Sequence, residues 1–454
     1  MSLKNVAPFE KILRNLRTFR RFLDGEERRQ VVHAGFVVFM VKTFGLLISL
    51  ATAMLLARTL GPEGYGSYAY VLSVVALICI PAQFGLPRLV LRETAKAQAR
   101  CDWAILKGIW YWSALVVLLL SILLVLGSEI TVRFLADHFP EQQLLTFAWG
   151  LLLIPFLSLG ALRAAALIGL RRIVQGQISE MLLRPTLLAS FIVIYLMLVP
   201  AGGLFPVDVM QFHVLAAAIA FLISTIQLRN ARPPEFDASV LPKYQHRIWL
   251  AGMFPLVLVD GVQLVFSKAD TLMLGWLGSA SDVGVYAVAL YGSMLIAFGL
   301  QVVNVVVAPQ FARLHAKGER ASLQRLVVFS TRVSVVCALP MVLIIYFWGE
   351  RLLSFFFGVS FARGAEALTI LALGQLVNAS MGSVALLLTM TNHERDVVKA
   401  IAISTAVNIG LNLILIPILG INGAATATAV ATALWNIILW RCVHSRLGIR
   451  TLPF

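Results

Sequence analysis

The sequence predicts an all-α polytopic membrane protein with about twelve transmembrane helices in two six-helix lobes, related by a parallel pseudo-two-fold repeat. Three observations support this fold class: an apolar composition, long apolar runs, and one short turn sequence that occurs twice. Of the 454 residues, 59% are hydrophobic and 13% are charged, about half the charged share of a typical soluble protein. A soluble core cannot bury so many apolar runs of about 20 residues.

Each apolar run predicts one membrane-spanning helix, because a helix satisfies its own backbone hydrogen bonds in lipid. Polar and turn-forming residues separate the runs and set their bounds. Six runs precede and six follow a polar segment with two adjacent prolines, which we interpret as a linker. The predicted spans lie near residues 34–57, 65–86, 104–127, 144–162, 179–199, 209–228, 248–274, 283–308, 327–348, 367–390, 400–417 and 423–440.

The repeated turn is LGPEGYGSYA at residues 60–69 and LGSASDVGVYA at residues 277–287. Each copy lies between two apolar runs and predicts a tight turn, since glycine permits positive φ and tyrosine suits the membrane interface. Six spans, an even number, separate the two copies, so both halves start on the same side. The arrangement predicts a parallel repeat about an axis along the membrane normal, with a cavity between the halves.

The net charge of +15 is explained by membrane orientation rather than by a nucleic-acid partner. With the N-terminus inside, the inner segments carry 28 Lys and Arg residues and the outer segments carry four, as the positive-inside rule requires. We therefore expect both termini in the cytoplasm. The predicted parts are a basic N-terminal segment (1–33), an N-lobe (34–228), a cytoplasmic linker (229–247), a C-lobe (248–440) and a cytoplasmic tail (441–454).

The N-terminal segment has its own pattern. Residues 9–23 place six apolar side chains on one helical stripe and basic side chains around the rest. This pattern favours an amphipathic helix lying on the inner leaflet. The alternative is a disordered basic tail that only orients the chain.

Polar residues inside the spans are the candidate binding residues, because ionisable groups in lipid are costly and usually face a cavity. Span one carries Lys42 on a face with small and polar residues. Span seven places Asp260 and Gln263 on one face, with Asp270 at its edge. The full candidate set is Lys42, Arg184, Lys268, Asp270, Arg332, Asp260, Gln263, Asn378, Asn408 and Asn412.

Several candidates have a structural alternative. Glu180 and Arg184 are four residues apart on span five, which equally predicts an internal ion pair. Lys268 and Asp270 come late in span seven and would also suit its outer end. Arg332 is near enough to the inner surface to snorkel. Asn408 and Asn412 are also suited to hydrogen bonding between helices.

Three stretches resemble the MOP superfamily of multidrug and oligosaccharidyl-lipid exporters, and within it the polysaccharide-transport branch. They are ARTLGPEGYGSYA at 57–69, KADTLMLGWLG with VGVYA within 268–287, and NIGLNLILIPILGINGAATATAVA at 408–431. The resemblance covers roughly residues 34–443. It implies two six-helix lobes forming a V that opens alternately to each side of the membrane.

The resemblance also implies a function. It implies a flippase, not an enzyme, that moves polyprenyl-pyrophosphate-linked oligosaccharides to the outer leaflet of the bacterial inner membrane for O-antigen, exopolysaccharide or capsule synthesis. Polysaccharide polymerase and export proteins are the implied partners. No Walker or metal motif is present, and the four cysteines lack paired spacing, so no cofactor is expected. Coupling to H⁺ or Na⁺ through Asp260 or Asp270 stays open.

Three rival functions remain at this point. A drug/cation antiporter of the same superfamily would favour acidic residues in the N-lobe, where Glu180 is the one acid within the spans. A membrane glycosyltransferase or polymerase would need catalytic residues in sizeable outer loops, and the predicted outer loops are short. A scramblase or scaffold without transport activity is the third.

Overall fold

The structure is a computed structural model that describes residues 26–134, 141–199, 203–232, 236 and 240–452. Within these residues all regular secondary structure is helical and no β-strand is present. This confirms the predicted all-α class. The amphipathic helix predicted over residues 9–23 lies outside the described residues.

Fifteen α-helices account for most of the described chain, joined by short turns. A π-helical turn (Ser179–Leu183) and a 3₁₀ turn (Val359–Gly364) continue the helices beside them. The α-helices are α1 (Glu26–Gln83), α2 (Leu86–Ala99), α3 (Trp103–Phe134), α4 (Glu141–Leu151), α5 (Leu153–Gly169), α6 (Ile173–Ile178), α7 (Arg184–Leu198), α8 (Pro206–Asn230), α9 (His246–Leu277), α10 (Ala280–Ala316), α11 (Arg320–Phe357), α12 (Ala365–Met381), α13 (Val384–Met390), α14 (Glu394–Leu419) and α15 (Ile421–Leu447).

Ten helical segments of the described chain are long and apolar enough to cross a membrane, or eleven if one bent pair counts as a span. The first of them, Phe39–Gln83, has 45 residues, about 68 Å at 1.5 Å per residue. That is about twice a bilayer's hydrocarbon core, and the helix kinks at Gly61, where φ is 67°. Its two arms therefore match two predicted spans, and the total is consistent with the twelve that the sequence predicts.

Side-chain burial fits a bundle surrounded by lipid. Bulky apolar residues are exposed, for example Leu119, Leu123 and Leu126 of α3, each more than half exposed. Small residues such as Ala424 and Ala425 of α15 are fully buried, where they let helices approach closely. The apolar surface therefore faces outward, as a multi-pass membrane protein requires.

The two copies of the repeated turn pack against each other. A Cβ built on Gly66 would overlap the carbonyl oxygen of Ala280, and one built on Gly284 would overlap that of Pro62. Each glycine thus faces the carbonyl four residues before the other glycine, and only hydrogen fits at either position. We call the contact between Gly66 and Gly284 the outer seam, because the predicted topology places both turns outside.

Two further contacts accompany the outer seam. The Arg58 guanidinium donates to the carbonyl oxygens of Phe355 and Phe356 at the end of α11, with Nε 3.0 Å from the Phe356 oxygen. A cation suits the partial negative charge of a helix C-terminus. Tyr65 meets Phe361 edge to face, with ring centroids 6.4 Å apart. The two halves are therefore joined at this end by backbone, charge and aromatic contacts.

Helix α9 contacts both halves. Near its start, Trp249 and Met253 are buried among residues of the first half, including Leu86 and Leu89 of α2. Toward its end, α9 packs against α14 and α15 of the second half. Helix α9 therefore joins the two halves, and its polar residues lie at different points along its length.

The linker between the halves docks on the N-terminal end of α3. The Lys107 ammonium donates to the Val240 carbonyl at 2.9 Å, and the Lys243 amide donates to the Ala104 carbonyl at 2.9 Å. The Phe236 ring packs on Trp110 with centroids 5.2 Å apart. A lysine this close to the end of a span would ordinarily extend to the membrane surface, but Lys107 is only 9% exposed because the linker covers it.

Candidate functional site

A cavity of about 600 Å³ lies between the first half and α10 of the second half. Its wall comes from both arms of α1, the π-helical turn, α7, α8 and α10. A π-helical turn inside a helix often accompanies a functional site, because it redirects side chains. The charged and imidazole side chains of the wall are Lys42, Glu180, Arg184 and His213.

The cations Lys42 and Arg184 are two candidates that the structure brings together. Lys42 comes from the first arm of α1, and Arg184 begins α7 directly after the π-helical turn. Glu180 of that turn lies 3.5 Å from Arg184 Nη2, in a partly exposed ion pair. Arg184 therefore both pairs with Glu180 and lines the cavity. With two cations and one carboxylate among its described residues, the wall has a net positive charge.

Sequence reasoning missed His213, although an imidazole inside an apolar span is a recognisable signal. His213 lies on α8 and is 8% exposed. Its Nδ1 atom is 2.8 Å from the hydroxyl oxygen of Tyr68, the tyrosine that ends the first repeated turn. The repeated turn thus contributes a side chain to the cavity wall as well as a backbone contact to the outer seam.

A second polar cluster surrounds Asp270 in the second half. Asp270 is 3% exposed. One carboxylate oxygen accepts from Asn408 Nδ2 at 2.9 Å and from Asn412 Nδ2 at 2.6 Å. The other accepts from the Tyr286 hydroxyl at 3.0 Å and from the Thr428 hydroxyl. We call these five residues the Asp270 cluster.

The Asp270 cluster contains three predicted residues and two that the prediction missed. Tyr286 ends the second repeated turn, as Tyr68 ends the first, so each turn places its tyrosine in a buried polar cluster. Among the described residues no cation forms an ion pair with Asp270, whose hydrogen-bond donors there are neutral. The Oδ1 atom of Asn412 is buried without a hydrogen-bond partner. The cluster therefore holds a carboxylate and a spare oxygen within a few ångströms.

Asp260 belongs neither to the cavity wall nor to the Asp270 cluster. Its carboxylate lies 2.6 Å from Arg88 Nε, and both side chains are more than one third exposed. Arg88 belongs to α2 of the first half, so this ion pair bridges the halves. Asp260 and Lys42 are separated by 218 residues, as are Gly66 and Gly284. Matching positions of the two halves thus carry opposite charges with different neighbours.

The remaining candidates lie away from the cavity wall. Gln263 and Arg332 are exposed, and Lys268 is partly buried on α9 two residues before Asp270. Asn378 of α12 donates to Gln375 and accepts from Asn436 of α15, both at 3.1 Å. That network joins α12 to α15, the interhelical role that amides often have in membranes.

The chain is similar to known proteins both in sequence and in structure. A family model described as "Polysaccharide biosynthesis protein" matches residues 31–315. A probable low-salt glycan biosynthesis flippase, Agl15 of Haloferax volcanii, is 23% identical over 425 residues, covering 91% of this chain and 83% of that protein.

Two solved structures show the same fold. An inward-facing MATE family multidrug transporter of the MOP superfamily aligns with a TM-score of 0.73 at 14% identity, covering 91% of this chain and 98% of that one. The lipid II flippase MurJ, in an inward closed conformation, aligns with a TM-score of 0.70 at 14% identity, covering 90% and 87%. The predicted all-α polytopic membrane fold is confirmed, and it is the fold of solved transporters of the superfamily that the sequence resembles. The predicted twelve spans and the pseudo-two-fold repeat are consistent with these alignments and stay predictions.

Proposed function

Because this chain belongs to the polysaccharide biosynthesis protein family, we propose that it is a flippase for polyprenyl-diphosphate-linked oligosaccharides. It moves them from the inner to the outer leaflet of a bacterial cytoplasmic membrane by alternating access, as a carrier and not an enzyme. The observation that carries the proposal is the basic cavity between candidate membrane-spanning helices, with Lys42 and Arg184 in its wall. The family and the Haloferax flippase support the same reading.

The chemistry of the substrate explains why such a cavity is needed. A diphosphate with attached sugars cannot enter hydrocarbon, because each charged or unpaired polar group costs several kcal/mol there. Lys42 and Arg184 supply cations for the phosphates, and the Ser49 and Thr52 side chains line the same wall. The polyprenyl chain stays in lipid, so the cavity has to hold only the head group.

Energy for export comes from two proposed sources. The anionic head group leaves a negative interior, so the membrane potential contributes ~2.3 kcal/mol per charge per 100 mV. The second source is H⁺ or Na⁺, for which the Asp270 cluster is the proposed site. A buried carboxylate without an ion-pair partner among the described residues is expensive unless a cation or proton joins it. The cluster supplies that carboxylate together with the spare Asn412 oxygen.

A drug/cation antiporter remains the second candidate function, since a multidrug transporter has the same fold. Fold alone does not separate the two functions. The charge of the cavity wall favours the flippase over the antiporter. Lys42 and Arg184 repel an organic cation, and Glu180 is already paired with Arg184. We therefore place the flippase first, with polysaccharide polymerase and export proteins as its proposed partners.

Deleting the gene is expected to remove one surface polysaccharide and to leave lipid-linked sugar units in the inner leaflet. A plasmid copy with Arg184→Gln should restore about one tenth or less of the polysaccharide, since a hydrogen bond from a cation to a phosphate contributes ~1.5–3 kcal/mol. The measurement is the amount of surface glycan at matched membrane levels of the protein. Arg172→Gln, exposed between α5 and α6, is the control and should restore it fully.

Normal surface glycan in the deletion strain would contradict the flippase proposal. Full restoration by Arg184→Gln would remove Arg184 from the binding site and leave the proposal itself standing.

A further inference from the structure

The His213 imidazole occupies an unusual position for an ionisable group. It lies in the cavity wall, on a helix whose neighbouring residues Val209, Met210, Ala216 and Ala217 are buried and apolar. The candidate residues drawn from the sequence do not include it. A buried imidazole in an apolar span costs free energy, so its single hydrogen bond and its cavity position call for an explanation.

The hydrogen bond to Tyr68 favours one tautomer of the imidazole. Among the described residues the Tyr68 hydroxyl has His213 Nδ1 as its one hydrogen-bond partner, at 2.8 Å. We assign the donor role to the phenol, because a buried hydroxyl that donates to nothing is costly and Nδ1 is its one partner among the described residues. A neutral imidazole that accepts at Nδ1 carries its own proton on Nε2.

The Nε2–H group is therefore left for an occupant of the cavity. No hydrogen bond joins Nε2 to a described residue, and this atom is not among the buried polar atoms without a partner. Since His213 lines the cavity, Nε2 is the nitrogen that the cavity reaches. In this tautomer the Nε2–H group is an uncharged hydrogen-bond donor that faces the cavity.

The groups around His213 favour an anion as that occupant. Arg184 and Lys42 line the same cavity as His213. Tyr68 and Tyr65 come from the second arm of α1, and Tyr291 comes from α10. Glu180 is the one carboxylate of this wall among the described residues, and it is paired with Arg184.

We propose that His213, held in its Nε2–H tautomer by Tyr68, is a head-group ligand that donates to a diphosphate oxygen beside Arg184 and Lys42. The inference rests on the proposed flippase function and names a binding residue for it. A neutral donor adds a hydrogen bond to the phosphates without a further positive charge to be desolvated when the site is empty. Tyr68 acts as the positioning residue.

The test is binding of two probes to the purified full-length protein in lipid nanodiscs. One probe is a polyprenyl diphosphate and the other is inorganic pyrophosphate, so that a lipid head group and a free diphosphate are distinguished. His213→Leu should weaken diphosphate binding by about tenfold or more, as for loss of one hydrogen bond to a charged group. His213→Gln, whose amide can place a donor near the Nε2 position, should stay within about threefold of wild type.

Tyr68→Phe tests the positioning role. It leaves the imidazole in place and frees its proton to move to Nδ1, so binding should fall less than in His213→Leu, by about two- to fivefold. His213→Gln with Tyr68→Phe should then bind no worse than His213→Gln alone, because the amide does not need the tyrosine to fix a tautomer. His315→Leu, on an exposed side chain at the end of α10, is the control and should match wild type.

The outcomes separate this inference from the proposed function. If the wild type binds polyprenyl diphosphate and Arg184→Gln weakens it, while His213→Leu binds as well as wild type, the inference is wrong and the function stands. If the wild type binds neither probe, the proposed function fails with it. Retained binding by His213→Gln together with loss in His213→Leu supports the ligand role, because glutamine keeps a hydrogen-bond donor at this position and leucine does not.

Discussion

A Gly66→Val substitution is expected to abolish transport while leaving the protein inserted in the membrane. The Gly66 backbone touches Ala280 and Gly284 across the outer seam, where even a methyl group would overlap a carbonyl oxygen. An overpacking cost of about 3 kcal/mol would lower the population of the closed seam about 100-fold. A carrier that cannot close on the outer side cannot complete alternating access.

The seam itself can be measured. In a variant without native cysteines, spin labels at Glu63 and Val359 report the distance between the outer ends of the two halves, since both side chains are exposed. Gly66→Val should lengthen that distance in the absence of substrate. Gly410→Ala is the matched control, because a Cβ at Gly410 would meet nothing within 4 Å. Wild-type transport by Gly66→Val would contradict the role of the seam.

Asp270→Ala is expected to lower stability and to abolish ion-dependent transport. The substitution removes the acceptor of three buried donors, from Asn408, Asn412 and Tyr286, and of the partly buried Thr428 hydroxyl. A buried donor without a partner costs about 1–3 kcal/mol, and some of the four will find new partners. We expect a net loss of about 3 kcal/mol or more in the free energy of unfolding, comparable to breaking a buried charged network.

Asp270→Asn separates charge from shape. The amide is nearly isosteric, so thermal unfolding should shift less than for Asp270→Ala, while the dependence of transport on Na⁺ or pH should disappear. The measurement is substrate transfer in proteoliposomes at several Na⁺ concentrations and pH values. Glu319→Gln, exposed before α11, should change neither property. Unchanged ion dependence in Asp270→Asn would contradict a coupling role for the cluster.

Much of this architecture follows from local sequence signals. Apolar runs predict the spans because each helix must satisfy its backbone in lipid. The repeated sequence predicts two tight turns, but it does not predict that they pack against each other in the outer seam. Asp270, Asn408 and Asn412 could be predicted as buried polar residues because amides and carboxylates are costly in lipid. The same reasoning placed Lys42 and Arg184 toward a cavity.

Partnerships between distant residues could not be predicted in the same way. Asp260 meets Arg88, a residue of the other half, because the start of α9 crosses to α2; nothing local in span seven indicates that crossing. Tyr68 and His213 are 145 residues apart, and the turn motif suggested only an interfacial role for the tyrosine. Helical periodicity says which face is polar, whereas the identity of the facing helix depends on packing across the whole bundle.

The most direct test of the account is transfer of a polyprenyl diphosphate carrying a fluorescent oligosaccharide between leaflets of vesicles that contain the purified protein. We predict protein-dependent transfer, which an impermeant quencher detects as a change in accessible fluorescence, and its loss in Arg184→Gln. Vesicles that export organic cations but leave the lipid-linked oligosaccharide in its original leaflet would contradict the account.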